Sequence, residues 1–223
     1  MAVTIEDSSE FHDLWAYEDL FETSITPAGS NRLSLMLFGI RSFQSYTSSP
    51  TYGGSGSVTL EATGEYGSPN ETAYCYTYDS EPAASAGTWS ATLNTNRKAL
   101  MYGFALSGVD QTTPVSDSDS DVGSSLTSAS GTVTSTSGDL VLAMSVWKND
   151  NGGTTINQGT ELIDEYGGAI TSMCVSHFTA TGSSTTITHT PGTTSEGALL
   201  VVNVAQASAA AVVNSRTLLG VGS

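Results

Sequence analysis

Positive charge is scarce in this sequence of 223 residues. Six lysines and arginines stand against 22 aspartates and glutamates, which gives a formal net charge of −16 at pH 7. A nucleic-acid-binding protein needs basic residues to neutralise phosphates, and an anionic membrane surface attracts basic segments. The composition therefore predicts that the chain binds neither nucleic acid nor a membrane.

Long hydrophobic runs are also missing. The longest apolar run, residues 35–40, is interrupted by Gly39 and falls far short of the roughly 20 residues of a transmembrane helix. The first seven residues have neither the basic start nor the apolar core of a signal peptide. We therefore expect the protein to be synthesised in the cytoplasm.

Cysteine is limited to Cys75 and Cys174, and the three histidines are dispersed. Cytoplasmic synthesis favours free thiols, and both cysteines lie in strand-like runs, so we expect two small buried hydrophobic residues. A disulfide remains the alternative, because the two positions could meet at an axis of pseudo-symmetry. Two cysteines do not supply a zinc site, and the sequence predicts no metal site and no cofactor.

Small residues are abundant, whereas charged residues are few: the chain has 34 Ser, 31 Thr and 23 Gly. Short runs of alternating apolar residues recur between Gly-rich turns, which is typical of an antiparallel β-sandwich. We predict an all-β, jelly-roll-like sandwich. The predicted strands are 33–39, which is apolar on both faces as in a strand buried between layers, and 57–66, 72–78, 88–93, 99–106, 131–136, 139–147, 170–178, 184–190 and 198–205.

An internal duplication is the most informative pattern. Residues 61–67 read Glu-x3-Glu-Tyr-Gly, and the same pattern returns at 161–167. Cys75 and Cys174 follow at nearly the same distance. Two further pairs of segments align in the same way: 31–37 with 138–144, and 99–105 with 198–204.

These alignments predict two pseudo-repeats of about four strands each, which cover each other's apolar faces. A single sandwich is favoured over two independent domains. The predicted organisation is an acidic and aromatic N-terminal arm at 1–23, one sandwich at 24–206 built from pseudo-repeats 24–108 and 126–206 with a polar linker at 111–126, and a C-terminal tail at 207–223.

The N-terminal arm combines seven acidic residues with large aromatic side chains within 22 positions. Aromatic residues are common anchors at protein interfaces, so we predict that this segment binds a partner. A solvated acidic arm is the alternative, and both helical and strand spacing fit. The predicted interface residues are Phe11, Trp15, Tyr17 and Phe21.

No motif in the sequence indicates catalysis. The pairs Glu61/Glu65 and Glu161/Glu165 would lie about 13 Å apart in a strand, beyond the separation of about 5–9.5 Å that glycosidases use. His12, His177 and His189 share no motif. Asp117, Asp119 and Asp121 have a calcium-like spacing, but the following residues do not complete an EF-hand, so we expect a solvated acidic linker. Since no catalytic motif is present, we expect that the protein is not an enzyme.

The stretch Ser107-Gly108-Val109-Asp110-Gln111-x-x-Pro114, followed by Ser137-Gly138-Asp139-Leu140-Val141, resembles a duplicated β-sandwich family of tailed-phage and bacterial proteins. The similarity covers about residues 30–206. Phage members are often virion or adhesion components. The residues themselves predict a strand-exit corner, because Gly108 permits a turn, Asp110 can bond the backbone that follows it, and Pro114 ends strand pairing.

The resemblance implies a virion protein, most readily a capsid decoration (cement) protein or a head or tail accessory. Expected partners are other virion proteins such as the major capsid protein, together with further copies of the chain. The alternative is a carbohydrate-binding adhesion module, and a glycanase is the least favoured reading. The candidate residues for stacking on sugars are Trp89, Trp147, Tyr74, Tyr76 and Tyr78.

Overall fold

A computed structural model describes residues 2–43, 46–54, 56–67, 70–148, 150, 152–167 and 171–208. The described residues form antiparallel β-strands, which confirms the all-β prediction, and none of them forms a helix that could cross a membrane. The strands are β1 (Thr4–Ile25), β2 (Leu33–Phe43), β3 (Tyr46–Tyr52), β4 (Val58–Gly67), β5 (Asn70–Tyr78), β6 (Gly87–Ser107), β7 (Val115–Leu126), β8 (Ala129–Thr134), β9 (Leu140–Lys148), β10 (Thr155–Ile156), β11 (Thr160–Tyr166), β12 (Thr171–Thr179), β13 (Ser184–Thr190) and β14 (Ser195–Val204).

The strands form two halves, β1–β6 and β7–β14, and each half has an inner and an outer layer. Two long strands, β1 and β6, pass through both layers of the first half. Residues 4–13 of β1 pair with 99–107 of β6 in an inner sheet of order β1-β6-β2-β5-β4. After irregular register shifts, residues 18–25 of β1 pair with 87–97 of β6, and β3 joins β6 there. The predicted N-terminal arm is thus largely an edge strand.

The second half has the same strand order in separate strands. Its inner sheet runs β7-β14-β9-β12-β11 and its outer sheet β8-β13-β10. In the second half the first strand, β7, pairs with the last, β14, and the second, β8, pairs with the next to last, β13. In the first half β1 makes both of these pairings with β6, and the arrangement is that of a jelly roll. The segments aligned as repeats lie in corresponding strands: β2 and β9, β4 and β11, β5 and β12, β6 and β14.

The described halves therefore contain more strands than the four expected for each pseudo-repeat. Residues 115–126, expected to be part of a linker, form β7 at the edge of the second inner sheet. Each half can cover one face of its inner sheet with its own outer layer. The other faces of the two inner sheets pack on each other.

Three apolar cores follow from this layering. Leu35 and Leu37 point into a central core between the inner sheets, where they meet residues such as Leu142 and Leu200. Their neighbours Met36 and Phe38 point the opposite way, into the core of the first half. A third core, around Trp147 and Ile187, fills the second half. The run of apolar residues on both faces of β2 arises because this strand is buried between layers.

The central core brings the two halves into close contact at Gly39. A Cβ atom at this position would lie 2.8 Å from Val146 Cγ2 and 3.0 Å from Met144 Sδ. A larger residue would force the side chains of Val146 and Met144 to shift. The glycine that interrupts the apolar run thus permits the close packing of the halves.

The Ser-Gly-Val-Asp-Gln motif forms the expected corner and also joins the halves. Gly108 has a φ of 71°, and Asp110 Oδ1 accepts hydrogen bonds from the backbone of Thr112 at 2.8 Å and Thr113 at 3.0 Å. Asp110 N donates to the carbonyl of Ala205. The next residue, Gln206, donates its N–H to Asp139 Oδ1 at 2.9 Å. Both parts of the motif therefore meet at the end of β14.

Three aspartates of β7 connect the inner and outer sheets of the second half. The carboxylates of Asp117, Asp119 and Asp121 accept hydrogen bonds from backbone N–H groups of β8, at 2.6, 2.8 and 2.9 Å. The bond from Thr134 is the main cause of the lowered pKa of Asp117. The alternation that suggested calcium ligands serves instead as a side-chain ladder between two sheet edges.

A related bond occurs in the first half, where Asp7 near the start of β1 accepts the N–H of Thr26 at 2.7 Å. Thr26 directly follows the outer part of β1, as Thr134 ends β8. Each half therefore holds the end of its outer edge strand with an aspartate from the start of its inner edge strand.

We predict that Asp119→Ala lowers the free energy of unfolding by about 1 kcal/mol, because the Thr132 N–H loses its charged acceptor. Asp119→Asn should lose less, since an amide oxygen can still accept the bond. Urea unfolding monitored by circular dichroism measures both changes. Asp19→Ala, which removes an exposed acid from β1, is the control, and equal losses in Asp119→Ala and Asp19→Ala would contradict a role for the ladder.

Candidate functional site

The predicted interface aromatics do not share one environment. Phe11 is 38% exposed on β1, whereas Phe21 is fully buried against Phe38, with ring centroids 5.4 Å apart. Phe11 also makes an edge contact with Phe21 at 5.7 Å. Phe21 is therefore a core residue of this chain and offers no surface to a partner. The side chains of Trp15 and Tyr17 lie outside the described residues.

Most of the aromatic residues considered for sugar binding are also in the cores. Trp89 and Trp147 are fully buried, and their indole N–H groups donate to Ser34 Oγ at 2.9 Å and Thr154 Oγ1 at 3.1 Å. Tyr74, Tyr76 and Tyr78 lie on one face of β5, as expected from alternation, but Tyr74 and Tyr76 are buried there. Tyr78 keeps partial exposure and lines a surface cleft.

That cleft has a volume of about 270 Å³ and lies between the ends of β4 and β5 and the corner at 107–114. Its charged lining residues are Arg32, Glu61, Asp79, Glu81 and Asp110. Arg32 contacts Glu81 at 3.4 Å, and Thr59 donates to Asp79 at 2.7 Å. With four carboxylates and one guanidinium, the cleft can accept hydrogen bonds from a ligand rich in hydroxyl groups.

The repeated glutamates do not form an acid pair of the kind a glycosidase uses. Glu61 accepts a hydrogen bond from Thr77, and Glu165 lies 3.6 Å from His12 of the other half. Glu65 and Glu161 are exposed. Among the described residues, no three His, Cys, Asp or Glu side chains are arranged to hold a metal ion.

The buried histidine and cysteines have structural environments. His189 is fully buried, with Nε2 2.9 Å from Ser176 Oγ and Nδ1 2.8 Å from Ser145 Oγ. Burial lowers the pKa of His189 to about 4, so its ring is neutral at pH 7. Cys75 and Cys174 are free and buried, and burial raises the pKa of both thiols. None of these groups is poised to act on a substrate from solvent.

A buried carboxyl group at the junction of the halves was not singled out by the sequence. Glu71 of β5 has no exposed surface, and no other described residue donates an N–H or O–H hydrogen bond to its carboxyl oxygens. It faces Glu196 of β14 and Lys148 of β9, which contact each other at 3.0 Å. Its cross-strand neighbours are Arg41 and Tyr66.

Burial is the main cause of an unusual pKa at this position. It raises the pKa of Glu71 from 4.5 to about 7; Lys148 opposes the shift, and Glu196 adds to it. The folded protein therefore holds this proton more tightly than the unfolded chain does. The stability that the fold gains from keeping Glu71 protonated is fully present below pH 4.5. It is lost as the pH rises through 7, because the buried carboxyl group then ionises.

No protein-family model matches the chain, and no curated protein and no solved structure is significantly similar to it. The function is therefore argued from the surfaces and contacts of the chain itself.

We predict that Glu71→Gln makes the protein more stable than the wild type by about 2 kcal/mol at pH 8, because the amide carries no charge to bury. At pH 5 the two proteins should differ little. Thermal unfolding between pH 5 and 8 measures the effect. Glu22→Gln removes an exposed charge, and its melting temperature should vary with pH as that of the wild type does. The same pH dependence in Glu71→Gln would contradict a raised pKa of Glu71.

Proposed function

We propose that the chain is a structural protein of a phage virion, a capsid decoration protein or a related head or tail accessory. It acts through protein–protein contacts with the major capsid protein or another virion protein, and it is synthesised in the host cytoplasm before it joins the particle. The resemblance of the corner motif to phage sandwich proteins supports a phage origin. The surface of β1 supports the mode of action.

The observation that carries the proposal is the composition of the β1 edge. This strand of 22 residues stands at the end of its sheet, and among the described strands it pairs only with β6. Its outer side therefore has backbone groups available for pairing with another chain. Phe11 and Leu20 add exposed apolar surface, 38% and 45% accessible, next to these groups.

The charge of this edge indicates the chemistry of its partner. Four acidic side chains on the same strand as the two apolar residues are also exposed: Glu6, Glu10, Asp19 and Glu22. A basic surface with an apolar centre would complement this arrangement. The negative charge on the rest of the chain keeps decorated particles apart in solution.

Leu20→Glu tests this proposal without disturbing the core. We expect the substitution to weaken binding to virions that lack the protein by about tenfold or more, because it places a charge at the centre of the contact. Leu60→Glu is the matched control, since Leu60 is 48% exposed on β4, the edge strand of the inner sheet that lies farthest from β1. Co-sedimentation with the particles measures both affinities.

Two outcomes would count against the proposal. One is an equal loss of binding in Leu20→Glu and Leu60→Glu, which would remove β1 as the contact. The other is the absence of the protein from purified virions of the phage that encodes it, determined by mass spectrometry. Deletion of residues 1–22 is a poorer test, because it would remove Phe21 from the core.

The cleft beside Tyr78 favours a second candidate function, a carbohydrate-binding adhesion module. Its carboxylates can accept hydrogen bonds from sugar hydroxyls, and the Tyr78 ring forms part of the wall. A glycan that binds there should lose affinity in the variant Glu81→Gln, since the Glu81 side chain is 44% exposed. A glycan array without a saturable ligand would eliminate this candidate.

A further inference from the structure

Two carboxylates of the second half hold one short segment of backbone. Asp150, just after β9, accepts the N–H of Gly152 at 3.2 Å and that of Thr193 at 3.1 Å through Oδ1. Asp164, within β11, accepts the N–H of Thr154 at 2.7 Å through Oδ2. Since residues 152 and 154 are nearly adjacent in the chain, both carboxylates lie beside the same turn.

The second oxygen of each carboxylate is buried and accepts no hydrogen bond within the described part of the chain. These atoms are Asp150 Oδ2 and Asp164 Oδ1. Asp150 has no exposed surface. Neither aspartate takes part in an ion pair between described residues. A buried carboxylate oxygen without a donor or cation is costly, so the site favours a positively charged ligand.

The environment of Asp164 agrees with this geometry. Burial, with smaller contributions from the charges of Glu161 and Asp150, raises the pKa of Asp164 to about 6, although the hydrogen bond from Thr154 opposes the shift. A cation between the carboxylates would offset both the burial and the mutual repulsion.

We propose that Asp150 and Asp164 form a binding site for a divalent cation, with Ca²⁺ the best fit. Calcium accepts carboxylate, carbonyl and water oxygens in flexible geometries. The two carboxylates would supply the charge, and backbone carbonyl groups and water the remaining ligands. Gly153 is exposed, which gives an ion access from solvent. Two carboxylates correspond to weak binding, with a dissociation constant of about 0.1 to 1 mM.

Trp147 provides a spectroscopic test that does not depend on the proposed function. Its indole N–H donates to Thr154 Oγ1 at 3.1 Å, so it lies next to the turn that both carboxylates contact. We expect Tb³⁺ bound at the site to emit when tryptophan is excited, in a saturable manner, and Ca²⁺ to displace it. In Asp164→Asn the Tb³⁺ affinity should fall by at least about tenfold. Loss of a residue that only hydrogen-bonds to a metal ligand already lowers metal affinity by about tenfold or more, and Asp164 would be a direct ligand.

Asp164→Asn retains an oxygen that can accept the Thr154 N–H, so this variant should fold, which circular dichroism verifies. Glu22→Gln is the control for the general attraction of cations to an acidic chain, and its titration should match the wild type. In addition, Ca²⁺ should raise the melting temperature of the wild type and of Trp147→Phe but not of Asp164→Asn. Emission that does not saturate, or equal responses of Asp164→Asn and Glu22→Gln, would overturn the proposal.

Discussion

The burial of apolar side chains on both faces of two inner sheets is the constraint on which the rest of this structure depends. Residues 33–40 of β2 and 140–147 of β9 are all buried, so each inner sheet needs a cover on each side. The outer layers cover one face, and the opposite half covers the other. With about 1.5–3 kcal/mol available from each large side chain that is buried, neither half would keep its central face exposed to water.

This layering explains how an acidic chain with few bases remains folded. Its carboxylates rarely have a cation as partner, so many of them accept backbone N–H groups instead. Asp7, Asp110 and Asp117 close turns and sheet edges in this way. Glu71 and Asp164 lie where such donors are too few, and burial raises the pKa of both. The acidic composition is therefore partly structural and not only a property of the surface.

The candidate surfaces also follow from the fold. The first half forms its two layers from the continuous strands β1 and β6, which leaves β1 as a long edge, whereas the second half ties its edge strand β7 to β8 through aspartates. The proposed partner surface is thus in the first half, and the candidate cation site is in the second. Two halves with the same strand order can serve different purposes because their edges and turns differ.

The sequence alone determined the β class, the strand spacing and the corner at residues 107–114, because alternation and turn residues are local properties. Only the tertiary structure decided which side of a strand is buried and which edge is free. Phe21 could not be distinguished from Phe11 by pattern, since both lie among acids, and Asp117 could not be distinguished from a solvated acid until β8 was placed beside it. The roles of Glu71 and Asp164 depend on neighbours distant in the chain, and no local pattern encodes those contacts.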